Sequence, residues 1–325
     1  MKKYIIPLIL VAMTLAGCGA NQKPQDSSNQ QGDAFDRTSL SIVTPTGAPA
    51  LAFYNYANLS NFETNSVPTN IVAMMGAGQK DVVVLPTNAG MQTIAKQSSP
   101  TYKIAATITF GNFFIASMGN DADGVMNEGD TILLFQKNNV PDKIFHYVYG
   151  DAFNNNIHYV NAVSDAASAC IGGTFVDADT GTNMTPNYVM LAEPALSNVL
   201  SKKESVTVYA NMQEKYKEKA GDKEMFQASV FVKDSLDKAL VTSFLSSLKE
   251  DIETAIADPS KLTEGMNKAS NPTDLFGVAP AMAEAVLKKN NGMGLGYKAA
   301  KDNKAGIVNF LTLFGIDGDN EALYF

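Results

Sequence analysis

The sequence predicts an α/β protein of two lobes joined by two crossing strands, and three observations carry that prediction. Short β-branched runs alternate with amphipathic stretches from residue 40 onward, the pattern of sheets flanked by helices. Asp81-Val82-Val83-Val84-Leu85 is apolar at every position after its first, which marks a strand buried on both faces. A chain of 325 residues also exceeds what one compact core commonly organises.

The elements follow in order. Residues 39–44 read as a strand, and Thr46-Gly47-Ala48-Pro49 opens a helix over 48–59, because proline suits a first helical turn. Residues 70–73 read as a second short strand and 81–85 as a third. Pro86-Thr87-Asn88 then starts a helix to about residue 96, with Thr87 or Asn88 as its cap. A strand over 102–109 completes a β-α-β-α series, which predicts a parallel sheet. A second series has strands over 112–118, 130–135 and 157–160, with helices over 140–149 and 163–171. Residues 188–191 form a strand ending in Ala192-Glu193-Pro194, which opens a helix through residue 200; strands over 205–209 and 227–232 follow. Leu236, Leu240, Phe244, Leu248, Ile252 and Ile256, spaced by four, predict a helix over 236–257, and the remainder reads as helical. The economical crossings are Phe110-Gly111-Asn112-Phe113 and Ala228-Ser229-Val230-Phe231. They give a discontinuous lobe of 37–110 plus 233–325 and an inserted lobe of 111–232.

Composition narrows the function. The 25 basic residues include one arginine, Arg37, against 33 acidic residues, so a bidentate guanidinium clamp has almost nowhere to come from. A pI near 4.9 without a basic cluster excludes nucleic acid, which needs several cations on one face. Two cysteines, Cys18 and Cys170, and two histidines, His146 and His158, are too few for a zinc, haem or iron–sulfur site, so no metal or cofactor is expected. Both histidines read as structural.

The first 17 residues have a charged start at Lys2 and Lys3, an apolar run, and Leu15-Ala16-Gly17 ahead of Cys18. That is the layout of a signal peptide, too short in its apolar run to span a bilayer comfortably. The junction resembles a bacterial lipoprotein lipobox, which implies cleavage before Cys18 and lipid on its thiol. The chain is then a lipid-anchored protein on the extracytoplasmic face of the cell membrane, with residues 18–36 as a polar tether. Loss of Lys2 and Lys3 leaves 23 basic against 33 acidic residues.

Four stretches resemble the solute-binding lipoproteins of nitrate, sulfonate and taurine type ABC importers and the related family that binds thiamine-precursor pyrimidines. They are Thr44-Pro45-Thr46-Gly47-Ala48-Pro49, Asp81 through Asn88, Phe110-Gly111-Asn112-Phe113, and Leu191-Ala192-Glu193-Pro194-Ala195; Tyr159 through Asp165 is a fifth matching junction. The resemblance implies a type II periplasmic-binding-protein fold with ligand held between the lobes, and an ABC permease as partner. In doubly wound sheets ligands lie outside the carboxyl ends of strands, where following helices offer N–H groups. The expected ligand residues are therefore Thr46, Gly47, Ala48, Thr87, Asn88, Asn112, Phe113 and Glu193, with helix capping as the competing role for Thr46, Thr87, Asn88 and Glu193. Phe110 or Phe113 is placed to stack on a ring. Arginine poverty favours a neutral, zwitterionic or heteroaromatic small solute, and the chain reads as a monomeric binding protein rather than an enzyme. The alternatives are a surface sensor lipoprotein and an enzyme of the same fold related to thiamine-pyrimidine or menaquinone-precursor synthesis.

Some signals fail on spacing. Gly292-Met293-Gly294-Leu295-Gly296 follows a helix and lacks the G-x-G-x-x-G order. Asp177-Ala178-Asp179-Thr180-Gly181 has glycine fifth rather than sixth and Tyr188 at the twelfth position of a calcium loop, and Asp121-Ala122-Asp123-Gly124 fails likewise. Metabolic labelling with palmitate should follow Cys18. A Cys18→Ala chain that remained labelled and membrane-bound would refute the anchor.

Overall fold

A computed structural model describes residues 35–120, 124–289 and 291–325. The signal segment, Cys18, the tether up to residue 34 and Asp121-Ala122-Asp123 lie outside the described residues.

The first elements are β1 (Ile42–Pro45), α1 (Ala48–Leu51), β2 (Phe62–Asn65), α2 (Pro68–Gly76), β3 (Val82–Pro86), α3 (Thr87–Ala95) and β4 (Tyr102–Thr109). Next come β5 (Phe113–Ser117), β6 (Ile132–Phe135), α4 (Val140–Tyr149), β7 (Ile157–Val160), α5 (Val163–Gly172), β8 (Phe175–Val176), β9 (Asn183–Met184), β10 (Tyr188–Ala192), α6 (Ala195–Leu200), β11 (Thr207–Asn211) and α7 (Met212–Ala220). The chain ends with β12 (Ala228–Lys233), α8 (Lys238–Ala257), α9 (Pro259–Met266), α10 (Pro272–Phe276), α11 (Pro280–Lys288), β13 (Leu295–Ala299) and α12 (Lys304–Leu311).

Two main sheets result. The larger has the order β13-β4-β12-β3-β1-β2 and the smaller β11-β5-β10-β6-β7. Both are mixed rather than parallel: β1 runs parallel to β2 and β3, while β12 is antiparallel to both β3 and β4. In the smaller sheet β6 is parallel to β7 and β10, and β5 is antiparallel to β10 and β11. The run Ala228-Ser229-Val230-Phe231, expected as a crossing, is thus part of the central strand of the larger sheet, and the chain reaches it from α7 through residues 221–227.

The alternation of side chains along β3 explains its uninterrupted apolar sequence. Val82 and Val84 join a cluster with Val230, Phe244 and Leu248, whereas Val83 and Leu85 face the opposite side with Phe231 and Ile94. Each fully buried valine contributes roughly 1.5–3 kcal/mol relative to an exposed one. The second cluster continues through Phe310 of α12, whose ring meets Tyr216 of α7 edge-on at 6.4 Å. The C-terminal segment therefore packs on a helix of the inserted region as well as on the larger sheet.

Several sequence expectations need correction. Residues 70–73 are helical: Pro68 occupies the first turn of α2, and Ile71 and Met75, four apart, bury one helix face. The helix expected over 48–59 stops at Leu51 and gives way to a 3₁₀ turn at Tyr54–Tyr56. The C-terminal region is not all helical, because β13 pairs antiparallel with β4. The glycine run before it serves backbone approach: a Cβ on Gly294, at φ +62°, would lie 2.2 Å from the Gly111 carbonyl oxygen. Both histidines have carboxylate partners, His158 Nδ1 at 2.6 Å from Asp177 and His146 Nε2 at 3.2 Å from Asp142. Asp177 also accepts from the amides of Asp179 and Thr180, so this carboxylate shapes its own loop. Cys170 is buried, and burial pushes its thiol up to about 12.

Arg37 fixes the entry of the chain. Its Nη2 donates to both oxygens of Asp251 at 2.8 and 3.0 Å, Asn55 donates to the same carboxylate at 2.8 Å, and Phe35 packs against Phe244. Asp251 is only 6% exposed, so losing its cation strands a charge in a dry place. Arg37→Ala should cost about 2 kcal/mol of stability. Arg37→Lys should recover only part of it, because the shorter side chain and its ammonium do not reproduce both the reach of Nη2 to Asp251 and the planar group beside the Tyr56 ring. Urea denaturation checks both; an Arg37→Ala chain as stable as the parent would remove Arg37 from this role.

Candidate functional site

The parallel strands β1, β3, β6 and β10 end at a common cleft of about 940 Å³, where β5 and β12 begin. Its floor is the region where the chain passes between the sheets. There the side chain of Asn112 donates from Nδ2 to the Glu193 carbonyl at 2.9 Å and accepts at Oδ1 from Gln227 Nε2 at 3.0 Å. The Glu193 amide donates back to the Asn112 carbonyl, also at 3.0 Å. The outgoing passage, the end of β10 and the returning passage are thereby tied at one residue.

Thr46, Gly47, Ala48, Asn112, Phe113 and Glu193 all line this cleft. Gly47 stands at φ +90° and donates its amide to Phe276 O at 2.8 Å, so that N–H already has a partner. Phe113 meets Phe135 edge-on with ring centroids 6.0 Å apart, and the two form an aromatic corner of the wall. Phe110 instead packs against Phe226 and is absent from the lining.

Thr87 and Asn88 lie off the wall. Thr87 is the first residue of α3 rather than its side-chain cap, and its hydroxyl sits 2.7 Å from Ser229 Oγ, which is itself 2.8 Å from Thr107 Oγ. This buried hydroxyl chain joins the start of α3 to β12 and β4, so Thr87 serves the sheet. Glu193 caps its helix: its carboxylate accepts from the Ser197 amide at 3.0 Å and the Ser197 hydroxyl at 2.8 Å. Burial raises its pKa, against the lowering effects of the Ser197 bonds and Lys289.

The structure adds polar residues that the sequence reading did not single out. Gln136 and Asn139 from the turn after β6, Ser164 and Ser168 from α5, Asn198 from α6 and Gln227 from the returning passage all reach the cleft. Gln136 adopts φ +56°, a left-handed conformation that costs a non-glycine residue energy. The signal for this turn was Asn139 ahead of Val140-Pro141, since the Asn139 side chain accepts from the Val140 amide as a helix cap.

The arrangement matches known structures in fold. An ABC transporter structure from Parabacteroides distasonis superposes with a TM-score of 0.68 at 16% identity, covering 89% of this chain and 99% of that one. The periplasmic aliphatic sulphonate binding protein SsuA from Escherichia coli gives 0.58 at 9% identity, covering 85% and 87%. A Candida albicans protein described as having the generic periplasmic binding protein structural fold gives 0.50 at 9% identity, covering 87% and 92%. No protein-family model and no curated protein sequence matches the chain. The fold is that of periplasmic binding proteins, as the sequence junctions implied.

Glu193 gives a pH test of the site. Its folded pKa lies above the ordinary 4.5, so between those two values the folded chain holds more protons than the unfolded one. The contribution of this group therefore becomes more favourable as pH falls through that range. Glu193→Gln keeps an acceptor for Ser197 and should lose this acid-side gain while matching or exceeding the parent's stability at pH 7. Denaturant titrations at pH 5 and pH 7 measure it, and a large loss at pH 7 would show that the charge itself is needed.

Proposed function

We propose that this chain is an extracytoplasmic, lipid-anchored substrate-binding protein of an ABC importer that captures a small organic solute in the cleft and delivers it to a permease. The observation that carries the reading is the cleft itself, bounded by strand ends of both sheets and floored by the passages between them. The lobes are those two sheets with their helices; since β12 belongs to the larger sheet, the return is drawn near Gln227 rather than at residue 232, giving 37–110 plus 228–325 and 111–227. The expected ligand groups are Thr46, Gly47, Ala48, Asn112, Phe113 and Glu193, with Thr87 and Asn88 acting behind the wall. Capture by closure would engage both walls at once and exclude water from the solute.

Binding without turnover suits the lining. Among the described residues no histidine, cysteine or aspartate lines the cleft, and the Glu193 carboxylate there is taken up by the Ser197 amide and hydroxyl at the start of α6. The fold likeness supports the same role, since two of the superposed structures are an ABC transporter protein and a sulphonate-binding protein.

Closure is measurable on the full chain. Asn70 on α2 and Ser201 after α6 are exposed and near opposite walls, next to the lining residues Thr69 and Lys202. Spin labels at Asn70→Cys and Ser201→Cys should draw together when the compound released from the purified chain is added back. An unchanged distance at saturation would sink closure, and a chain that yields and binds no compound would sink the solute-binding role.

A further inference from the structure

The helices that start at the cleft have lost most of the donors that such starts usually offer. Proline stands in the first turn of α1 (Pro49), α2 (Pro68), α4 (Pro141), α10 (Pro272) and α11 (Pro280), and at the N-cap of α3 (Pro86) and α6 (Pro194). A proline has no N–H, so it suits a helix start while withholding a hydrogen bond from any anion outside. Several other amides at these starts are already engaged, whereas α5 begins without a proline at Val163 and Ser164. Val140 donates to the Asn139 side chain, Thr87 to Gln227 O, Asn70 to Val67 O and Ser197 to Glu193.

Fixed negative charge strengthens the effect. α4 carries Asp142 and α5 carries Asp165 in the first turn, and Glu193 caps α6. These carboxylates complement the positive ends of three helix dipoles and repel a second anion brought to the same place. Among the described residues the exposed Lys202 is the one cation in the lining, and the single arginine is paired with Asp251.

The floor presents an acceptor. The Glu193 carbonyl can only accept, so Asn112 must turn Nδ2 toward it and Oδ1 toward Gln227. Asn112 Oδ1 in turn requires the Gln227 donor, which leaves Gln227 Oε1 as the outer atom of the chain. That oxygen is buried without a protein partner. The cleft that Gln227 lines also carries the rings of Phe113 and Phe135 and six prolines: Pro45, Pro49, Pro68, Pro86, Pro141 and Pro194.

We infer that the cleft selects an uncharged, ring-bearing solute that donates an N–H or O–H to Gln227 Oε1, and that it rejects carboxylates, sulfonates and phosphates. This rests on the reading of the cleft as a solute site and narrows it, since a zwitterion would bring its carboxylate to the same proline-blocked, acid-capped helix starts.

Two measurements on the full chain in detergent test it. Compounds released on denaturation are identified by mass spectrometry, and calorimetry compares benzamide with benzoate and benzenesulfonate, which share one ring and differ in charge. An uncharged released compound, or benzamide at least about tenfold tighter than both anions, supports the inference; tenfold corresponds to about one good hydrogen bond. A released anion, or an anionic probe binding as tightly as benzamide, overturns it while leaving solute capture standing. No released compound together with no binding of any probe overturns both. Pro68→Ala combined with Pro141→Ala restores two N–H groups and should tighten benzoate binding by about tenfold. Unchanged benzoate affinity in that folded variant would overturn the proline argument.

Discussion

Two amide side chains, Asn112 and Gln227, hold the passages between the sheets in register, and the cleft depends on them. Asn112 binds the Glu193 carbonyl and Gln227, while the Gln227 backbone accepts from Thr87 and donates to Thr109 O. The ends of β4, β10, β12 and the β3–α3 junction therefore meet in one network of backbone and amide groups. Each bond is worth about 1 kcal/mol by itself, but the cost of leaving any one of these buried groups unpaired is larger. A motion of the sheets that kept this network intact would have to pivot about it.

The same local rule serves the fold and the chemistry. Proline at a helix start costs little, because the missing N–H would have had no helical partner. Repeated at most of the helix starts around one cleft, it changes what that cleft can bind. A site that elsewhere relies on converging N–H dipoles here presents ring carbons, amide side chains and hydroxyls. Asp142, Asp165 and Glu193 act in the same direction, each accepting amides at or beside a helix start.

The fold was largely legible because its junctions are local. Val82 to Leu85 announced a central strand, and Pro86, Pro141 and Pro194 announced helix starts. What failed was orientation and long-range pairing. Residues 70–73 have a strand-like composition but follow a proline that starts a helix, and β13 is recognisable only by its pairing with the edge of β4. Thr87 shows why the site was harder than the fold. Its position at a strand end was read rightly, but the side chain points into the sheet toward Ser229, and sequence position alone does not distinguish the two directions. Gln136 and Gln227 carried no motif; they matter because a left-handed turn and a returning passage bring them to the cleft.

The placement of Arg37 completes the argument about charge. Composition alone left one guanidinium that a cleft might have used. The structure commits it to Asp251 of α8, where Asn55 shares the carboxylate and the Tyr56 ring lies 5.8 Å from the guanidinium carbon. A cation held by a buried carboxylate cannot leave without stranding that charge, so it is unavailable to a ligand on energetic grounds, and Arg37 is not among the residues that line the cleft. With Arg37 committed and Lys202 exposed in solvent, an anion entering the cleft would exchange hydration for apolar rings and a few amides, a net loss that an uncharged ring does not incur.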